Sequence, residues 1–139
     1  MSDRIFIDTN LFVYAHVSDD TVKHEIAVEL LCREIIGFQV IVSTQVLTEF
    51  YSAMSKHKLA HDEISSFLAD IIRCSNVASV SLTTVELCLK LKDKYGYSYW
   101  DSLILASAVE NRCRTLYSED MIHGHIIEGR LTIQNPFVL

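Results

Sequence analysis

Short apolar runs that alternate with helical patterns are the feature that most constrains the fold of this chain. Residues 4–8 precede helix-capping residues and a helical pattern, and residues 38–43 precede a second such pattern. Further strand-like runs occupy residues 77–82, 113–117 and 131–133. Strands that alternate with helices indicate a parallel sheet covered on both faces. The sequence therefore predicts an α/β fold around a mainly parallel sheet of about five short strands.

The helical patterns between these runs carry apolar side chains at helical spacing, most clearly in residues 21–36 and 61–74. A further helix is predicted to begin at Thr83 or Thr84, and another at Ser98. The two long patterns have enough apolar positions to cover the sheet and still offer a groove to a second copy or to a partner helix. We therefore expect a surface for protein partners on these helices.

Composition excludes several classes of protein. A length of 139 residues matches one domain, so we expect a single domain over residues 1–139. Half of the residues are hydrophobic, with four Gly and one Pro, which excludes disordered and collagen-like chains. The longest strongly apolar stretch, residues 35–42, is far shorter than the roughly 20 residues that span a bilayer, and the first residues do not resemble a secretion signal. We therefore expect a cytoplasmic protein with no membrane span.

The net charge of −6 argues against binding to nucleic acid by electrostatic attraction alone. Contact with nucleic acid then requires a local site or the help of a cation. The cysteines lie far apart, at Cys32, Cys74, Cys88 and Cys113, without the spacing of a zinc or redox motif. We expect them to be buried free thiols.

Four acidic residues lie near the ends of predicted strands. Asp8 ends the first strand, Glu49 lies in the helix after the second, Asp101 follows Ser98, and Asp120 follows the fourth. Each one alone is explained by a helix cap, a polar turn or a solvent-facing position. Four carboxylates at one edge of a sheet, however, would repel each other unless a cation lay among them. Oxygen donors without cysteine favour Mg²⁺ or Mn²⁺.

These acids occur in four segments that are typical of one protein family. The segments are FIDTNLFVY from Phe6, QVLTEF from Gln45, YWDSLILASA from Tyr99 and LYSEDM from Leu116. Through them the sequence resembles the PIN domain family, particularly the small stand-alone ribonuclease toxins of VapBC-type toxin–antitoxin pairs. The resemblance covers essentially the whole chain. It implies a three-layer α/β/α sandwich, Mg²⁺-dependent cleavage of single-stranded RNA, and an antitoxin that blocks the site.

The resemblance also implies roles for individual residues. The acidic quartet would be Asp8, Glu49, Asp101 and Asp120, with polar support from Thr9, Asn10 and Ser118. Asp8 and Asp101 would hold one Mg²⁺, and Glu49 would bind it directly or through water. Asp120 would complete this site or a second one, and Glu119 can replace or supplement it, so the fourth acid stays open. The metal would activate a water molecule and neutralise charge on the phosphate.

Two neighbouring features have both a structural and a functional interpretation. The basic residues 56–58 would suit a phosphate backbone, although such a triplet is more typical of a solvated helix end. Trp100 would suit an RNA base, although packing in the core around the Asp101 helix is the stronger expectation. Both assignments depend on where these side chains lie relative to the acids.

Two other functions compete with the ribonuclease. One is a catalytically silent PIN-like module that binds RNA or a partner. The other, a weaker one, is a phosphatase with an aspartyl nucleophile, because Asp8 follows a strand in the same way; Asn10 stands where such enzymes carry a second Asp. For the ribonuclease we expect a homodimer and a cognate antitoxin with an apolar helix and a basic side chain that reaches the acids.

Overall fold

A computed structural model describes residues 3–17, 19–37 and 39–138, and within them it confirms the predicted α/β fold. These residues contain six strands and six helices, with a pair of helices in each connection between the first four strands. In chain order they are β1 (Ile5–Ile7), α1 (Thr9–His16), α2 (Thr21–Ile36), β2 (Val40–Ser43), α3 (Thr44–Lys56), α4 (His61–Arg73), β3 (Asn76–Ala78), α5 (Leu82–Tyr95), α6 (Tyr99–Glu110), β4 (Thr115–Tyr117), β5 (Ile126–Ile127) and β6 (Leu131–Gln134).

The sheet has the strand order β3-β2-β1-β4-β6-β5, with every neighbouring pair parallel except β5 and β6. Strand β1 is central: Ile5 pairs with Val40 of β2 on one side and with Thr115 of β4 on the other. The chain builds outward from β1 first towards β3 and later towards β5. The carboxyl ends of β1 and β4 therefore meet where the winding direction changes, which is where open α/β sheets form binding crevices.

Side chains on both faces of the central strands are buried. Successive residues of β1 point to opposite faces, and Phe6 and Ile7 are both fully buried. Helix α1 packs against both α2 and α3, α4 packs against α3, and α5 packs against α6 as a separate pair. The result is a three-layer α/β/α sandwich, in which the short loops after the strands hold the polar residues.

Several strand and helix boundaries differ from the sequence prediction. The sheet has six strands within the described residues rather than five, because β5 is a two-residue strand that its sequence pattern does not reveal. The predicted strand 77–82 is shorter, since Ser81 caps α5 by accepting a hydrogen bond from the Thr84 backbone N–H; the caps predicted at Thr83 or Thr84 were wrong. Phe38, at the start of the predicted strand 38–43, lies outside the described residues.

The burial of the cysteines was predicted correctly for only two of the four. Cys88 and Cys113 are buried, whereas Cys32 and Cys74 are exposed. The error has a simple cause: apolar neighbours in sequence do not place a helical residue on the inner face. Among the described residues, no helix has both the length and the apolar character that crossing a bilayer requires.

Candidate active site

Asp8 lies directly after β1 and is only 3% exposed. Its carboxylate caps α1: the Thr9 backbone N–H donates to Oδ1 at 2.7 Å, and the Ser118 hydroxyl donates to Oδ2 at 2.8 Å. Burial raises the pKa of Asp8 to about 7, and the carboxylates of Asp120 and Glu49 add to the rise, against the two hydrogen bonds that lower it. Asp8 is therefore fixed in position, but its negative charge is poorly compensated.

Asp101 reaches the same region from the first turn of α6. Ser98 caps this helix, and its hydroxyl accepts a hydrogen bond from the Asp101 backbone N–H at 3.1 Å. The structure thus explains the position of Asp101 by a cap, as the sequence allowed. Burial raises the pKa of Asp101, and the neighbouring charge of Asp120 raises it further, whereas a hydrogen bond from Ser98 to the Asp101 side chain acts to lower the pKa of that carboxyl.

Asp120 lies in the turn after β4 and is held at two points. Asn10 donates from Nδ2 to Asp120 Oδ2 at 3.0 Å, and the backbone N–H of Asp120 donates to the Ser118 hydroxyl at 3.1 Å. Ser118 therefore contacts both Asp8 and the turn that carries Asp120. Residues on α1 and after β4 are fixed relative to each other by these short contacts.

Three carboxylates converge at this point. One oxygen from each of Asp8, Asp101 and Asp120 lies within 4.8 Å of the others. We call these three residues the acid cluster. Like charges at such distances disfavour ionisation of the group as a whole, which agrees with the raised pKa values of Asp8 and Asp101. The arrangement has the chemistry of a cation site.

Glu49 lies beside the acid cluster rather than in it. The Thr9 hydroxyl donates to Glu49 Oε1 at 2.9 Å, and Gln45 Nε2 donates to Oε2 at 3.3 Å. Glu49 lines the same cleft as the three aspartates. The structure thus brings three of the four predicted acids within 4.8 Å and places the fourth on the adjoining wall.

Glu119 points away from the cluster, although it is the sequence neighbour of Asp120. It accepts a hydrogen bond from the Tyr14 hydroxyl at 2.7 Å and forms a short ion pair with Lys23. The Lys23 ammonium also donates to the Tyr14 hydroxyl at 3.3 Å. Of the two acids that the sequence left open, Asp120 is therefore the one that lies with Asp8 and Asp101 in this structure.

The cleft around the acid cluster has a volume of about 570 Å³. Its α3 wall carries Glu49, Ser52 and Lys56, with His57 at the end of the helix. Their spacing of three and four residues places the helical members on one face of α3, a signal that the sequence contained. The sequence assigned no role to Ser52 and favoured a solvated helix end for residues 56–58; all three are exposed at the end of α3, and two of them, Lys56 and His57, also line the cleft.

Trp100 contradicts the expectation that it packs in the core. Its side chain is 61% exposed. The next two residues are more buried: Asp101 is partly buried and Ser102 is fully buried. It lines a second, mostly apolar cleft of about 420 Å³, together with residues of α3. The helix start explains the error: α6 is buried continuously from Ser102 to Ala108, whereas Trp100 lies in the first turn, before this buried stretch begins.

The donor set of the acid cluster fits a hard divalent cation. The three aspartates offer only oxygen atoms, which Mg²⁺ and Mn²⁺ prefer. The Asn10 side-chain oxygen, which also lines the cleft, is buried and has no hydrogen-bond donor among the described residues. An unpartnered buried oxygen next to clustered carboxylates is explained by a cation or its water shell.

Comparison with known proteins gives one family match: the sequence model of the PIN domain matches residues 5–126. This segment includes all the acids of the cleft. No curated protein sequence matches the chain.

Solved structures with the same fold include three from toxin–antitoxin systems. The first is VapC20 of Mycobacterium tuberculosis, a sarcin-ricin loop cleaving toxin, with 19% identity, a TM-score of 0.70, and coverage of 84% of this chain and 89% of that chain. A toxin–antitoxin complex from Klebsiella pneumoniae has 22% identity, a TM-score of 0.69, and coverage of 97% and 99%. VapBC2 from Rickettsia felis, bound to a DNA fragment from its promoter, has 19% identity, a TM-score of 0.67, and coverage of 94% and 98%. At these identities the likeness shows a shared fold.

Proposed function

Because the chain belongs to the PIN domain family, we propose that it is a metal-dependent endoribonuclease that cleaves phosphodiester bonds of single-stranded RNA in the cytoplasm. We further propose that it is the toxin of a toxin–antitoxin pair and that one domain carries the activity. The observation that carries the proposal is the acid cluster: three carboxylates within 4.8 Å at the carboxyl ends of the central strands. The ribonuclease activity of VapC20, a protein of the same fold, supports the choice of RNA.

Asp8, Asp101 and Asp120 are the proposed metal ligands, with Glu49 as a direct or water-mediated fourth ligand. Mg²⁺ is the proposed ion, and Mn²⁺ can replace it because both prefer oxygen ligands. When bound, such an ion lowers the pKa of water and neutralises charge on a phosphate group. It also explains how a protein with a net charge of −6 can act on a polyanion.

The supporting residues position the ligands. Ser118 and the Thr9 backbone fix both oxygens of Asp8, so its carboxylate cannot rotate away from the cleft. The Thr9 hydroxyl fixes Glu49, and Asn10 fixes Asp120. Two consecutive residues at the start of α1, Thr9 and Asn10, thus contact ligands from three different parts of the chain, which is the kind of preorganisation that transition-state stabilisation requires.

Two substrates and a chelator separate this function from its alternatives. Purified protein is incubated with unstructured single-stranded RNA and with a phosphomonoester such as p-nitrophenyl phosphate, each in Mg²⁺ and in EDTA. Chelator-sensitive cleavage of RNA alone supports the endoribonuclease. Hydrolysis of the monoester alone supports the phosphatase, and RNA binding without cleavage supports a silent module.

The proposed antitoxin binds by an apolar helix and inserts a basic side chain into the acid cluster. Helices α2 and α4 expose apolar side chains for such a helix, including Val22, Ile36 and Ile72. The Klebsiella pneumoniae structure, a toxin–antitoxin complex of the same fold, supports this partner. Co-expression with the neighbouring open reading frame tests it: a stable complex with suppressed RNA cleavage is expected.

We also propose that the nuclease is a homodimer. The exposed apolar residues of the helices provide surface for a second copy in addition to the antitoxin. Light scattering over a range of protein concentrations measures the mass directly. A strictly monomeric mass at all concentrations contradicts the dimer and leaves the catalytic proposal untouched.

A further inference from the structure

The Trp100 slot is a second cleft that opens beside the acid cluster. It lies between α3 and the start of α6, and its walls are Thr44, Gln45, Thr48, Val80, Trp100 and Leu103. Glu49 and Ser52 line both the slot and the cleft of the acid cluster. One face of α3 therefore runs from the slot past the acid cluster to Lys56, over a helix of 13 residues.

Gln45 joins the slot to the acidic residues. Its side chain is 8% exposed, and Nε2 donates both to the Trp100 backbone oxygen at 3.0 Å and to Glu49 Oε2 at 3.3 Å. Trp100 itself directly precedes Asp101, a member of the acid cluster. The slot is therefore lined by the residue next in sequence to a proposed metal ligand.

The chemistry of the slot suits a nucleobase better than a phosphate. The only charged residue that lines it is Glu49, whereas the opposite end of the α3 face carries Lys56 and His57. Gln45 Oε1, in this wall, is buried and has no hydrogen-bond donor among the described residues, so it can accept a hydrogen bond only from a group that inserts beside it. Every nucleobase has N–H donors on its pairing edge, and the exposed indole of Trp100 provides a stacking surface.

The size of the slot argues against a protein partner as its main occupant. Eight residues line it, whereas a stable protein–protein interface engages about 20–30 residues on each side. A flat aromatic base fits between an indole and a helix face without such an area. The continuity with the acid cluster also gives a reason for a base to lie there, since the adjoining phosphate then reaches the cleft.

We propose that the Trp100 slot binds one unpaired nucleobase of the RNA strand, next to the phosphodiester that is cleaved. Trp100 stacks on the base, and Gln45 holds the indole-bearing residue against the catalytic wall. The proposal rests on the proposed ribonuclease function and adds a substrate-positioning residue to it. It predicts that the enzyme requires a base at one fixed position relative to the cut.

An abasic-site series tests the proposal by a double-mutant cycle. RNA oligonucleotides that lack a single base, at each position around the cut in turn, are cleaved by the wild type and by Trp100→Ala. At one position we expect the wild type to lose about tenfold or more in kcat/KM, the scale of one base–aromatic stack. On intact RNA we expect Trp100→Ala to lose a similar factor in kcat/KM relative to the wild type. Removing the base at that position should then lower the kcat/KM of Trp100→Ala only slightly further, because the stack is already lost.

Two variants control for structural damage. Trp100→Phe keeps an aromatic face and is expected to recover most of the loss, which a merely structural role would not predict. Leu89→Ala removes another exposed apolar side chain, on α5 outside the slot, and should leave kcat/KM unchanged. Cleavage that is indifferent to base removal at every position overturns the proposal, even if Trp100→Ala is impaired.

The chain contains a single tryptophan, so its fluorescence reports on this slot alone. The inactive variant Asp8→Asn is titrated with a short single-stranded RNA, while anisotropy of labelled RNA follows binding independently. We expect RNA binding to quench the fluorescence in proportion to occupancy. Bound RNA without a change in fluorescence contradicts the base-binding slot. A fluorescence and mass change that depends on protein concentration, and not on RNA, assigns the surface to a second copy instead.

The outcomes for the two proposals are distinguishable. If the wild type does not cleave RNA in Mg²⁺, the ribonuclease fails, and the fluorescence titration alone decides whether the slot binds RNA. If the wild type cleaves RNA but neither the abasic series nor the fluorescence responds, only the slot is wrong.

Discussion

Two acidic regions of this protein begin at adjacent residues, and they differ in whether a cation compensates their charge. Glu119 is neutralised by Lys23, whose ammonium also lies 5.0 Å from the centroid of the Tyr14 ring. Asp120, the next residue, faces Asp8 and Asp101 instead. Glu119 is therefore paired with a lysine, whereas Asp120 forms no ion pair among the described residues.

The comparison distinguishes an acid that is paired with a lysine from acids whose charges no cation of the described residues compensates. The hydrogen bond from Lys23 to Glu119 raises the pKa of the lysine, which is the expected sign for a satisfied pair. In the acid cluster the pKa values of Asp8 and Asp101 move upward, which is the sign of an unsatisfied group. An ion supplied from solution would remove that difference.

The largest expected effect is on catalysis. Asp8→Asn and Asp101→Asn should each lower RNA cleavage at least ~100-fold, because the amide keeps the shape of the side chain but loses the charge that holds the metal. Cleavage rates in Mg²⁺ measure the loss, and circular dichroism checks the fold. The control is Asp93→Asn, an exposed acid on α5, which should retain full activity. Near wild-type cleavage by either cluster variant removes that residue from the metal site.

The second effect is on stability without metal. Asp8→Asn should raise the free energy of unfolding at neutral pH by a few kcal/mol, since each pKa unit corresponds to about 1.4 kcal/mol. An asparagine caps a helix as well as an aspartate does, so the cap at the start of α1 is preserved. Denaturant titrations in EDTA measure the difference. A variant less stable than the wild type in EDTA would show that the cap matters more than the charge.

The raised pKa of Asp8 also predicts how the free energy of unfolding depends on pH. The folded pKa of Asp8, about 7, lies above its ordinary value of 3.8, so the folded state holds the proton more tightly. In EDTA the wild type should therefore lose stability as the pH rises from about 4 to about 7 and then level off. Asp8→Asn should lack this loss. Equal pH profiles for the two proteins would contradict the raised pKa.

A smaller effect concerns Asp101. Its carboxylate either destabilises the metal-free protein by repulsion within the acid cluster or stabilises the start of α6, and these two roles predict opposite effects of Asp101→Asn. If repulsion dominates, Asp101→Asn raises Tm in EDTA, while the wild type alone gains stability from Mn²⁺, by about 2.7 kcal/mol at 100 times Kd. If the carboxylate only supports the start of α6, the variant loses about 0.5–2 kcal/mol with or without metal. Thermal melts of both proteins in EDTA and in Mn²⁺ decide between the two.

The smallest effect is expected where the chain has already neutralised its acid. Lys23→Met leaves Glu119 without its cation, and we expect a lower Tm that the second change Glu119→Gln recovers. Both variants should still respond to Mn²⁺, because neither residue lies in the acid cluster. A lost metal response in Lys23→Met would show that the two regions are coupled.

The sequence predicted the elements that bury apolar side chains at a clear period. Strand β1, the helix over Thr21–Ile36 and the cap at Ser98 follow directly from apolar spacing and capping residues. Strand β5 could not be predicted in this way, because a strand of two residues is too short to show an alternation of apolar and polar side chains. The acids were predicted from their positions after strands or, for Glu49, in the helix that follows a strand, and the resemblance to a family then implied a role for each.

What the sequence could not provide was the direction of side chains near helix ends. Trp100 is large and apolar, yet it lies at the surface because α6 begins there. Lys56 and His57 face the cleft because α3 continues to that point at the right rotation. The choice between Glu119 and Asp120 depended on Lys23, 96 residues away from Glu119, a pairing that only the folded chain reveals.

The hydrogen bond between Ser118 and Asp8 joins residues that are 110 positions apart. Ser118 in turn donates its backbone N–H to Gln134, in the last strand of the sheet. A growing polypeptide that has not yet added this strand has Asp8 in place but lacks the partner that orients it. Loop closure over such a distance is among the later events of folding. The order of synthesis thus delays assembly of the acid cluster until the residues of β6 have been added.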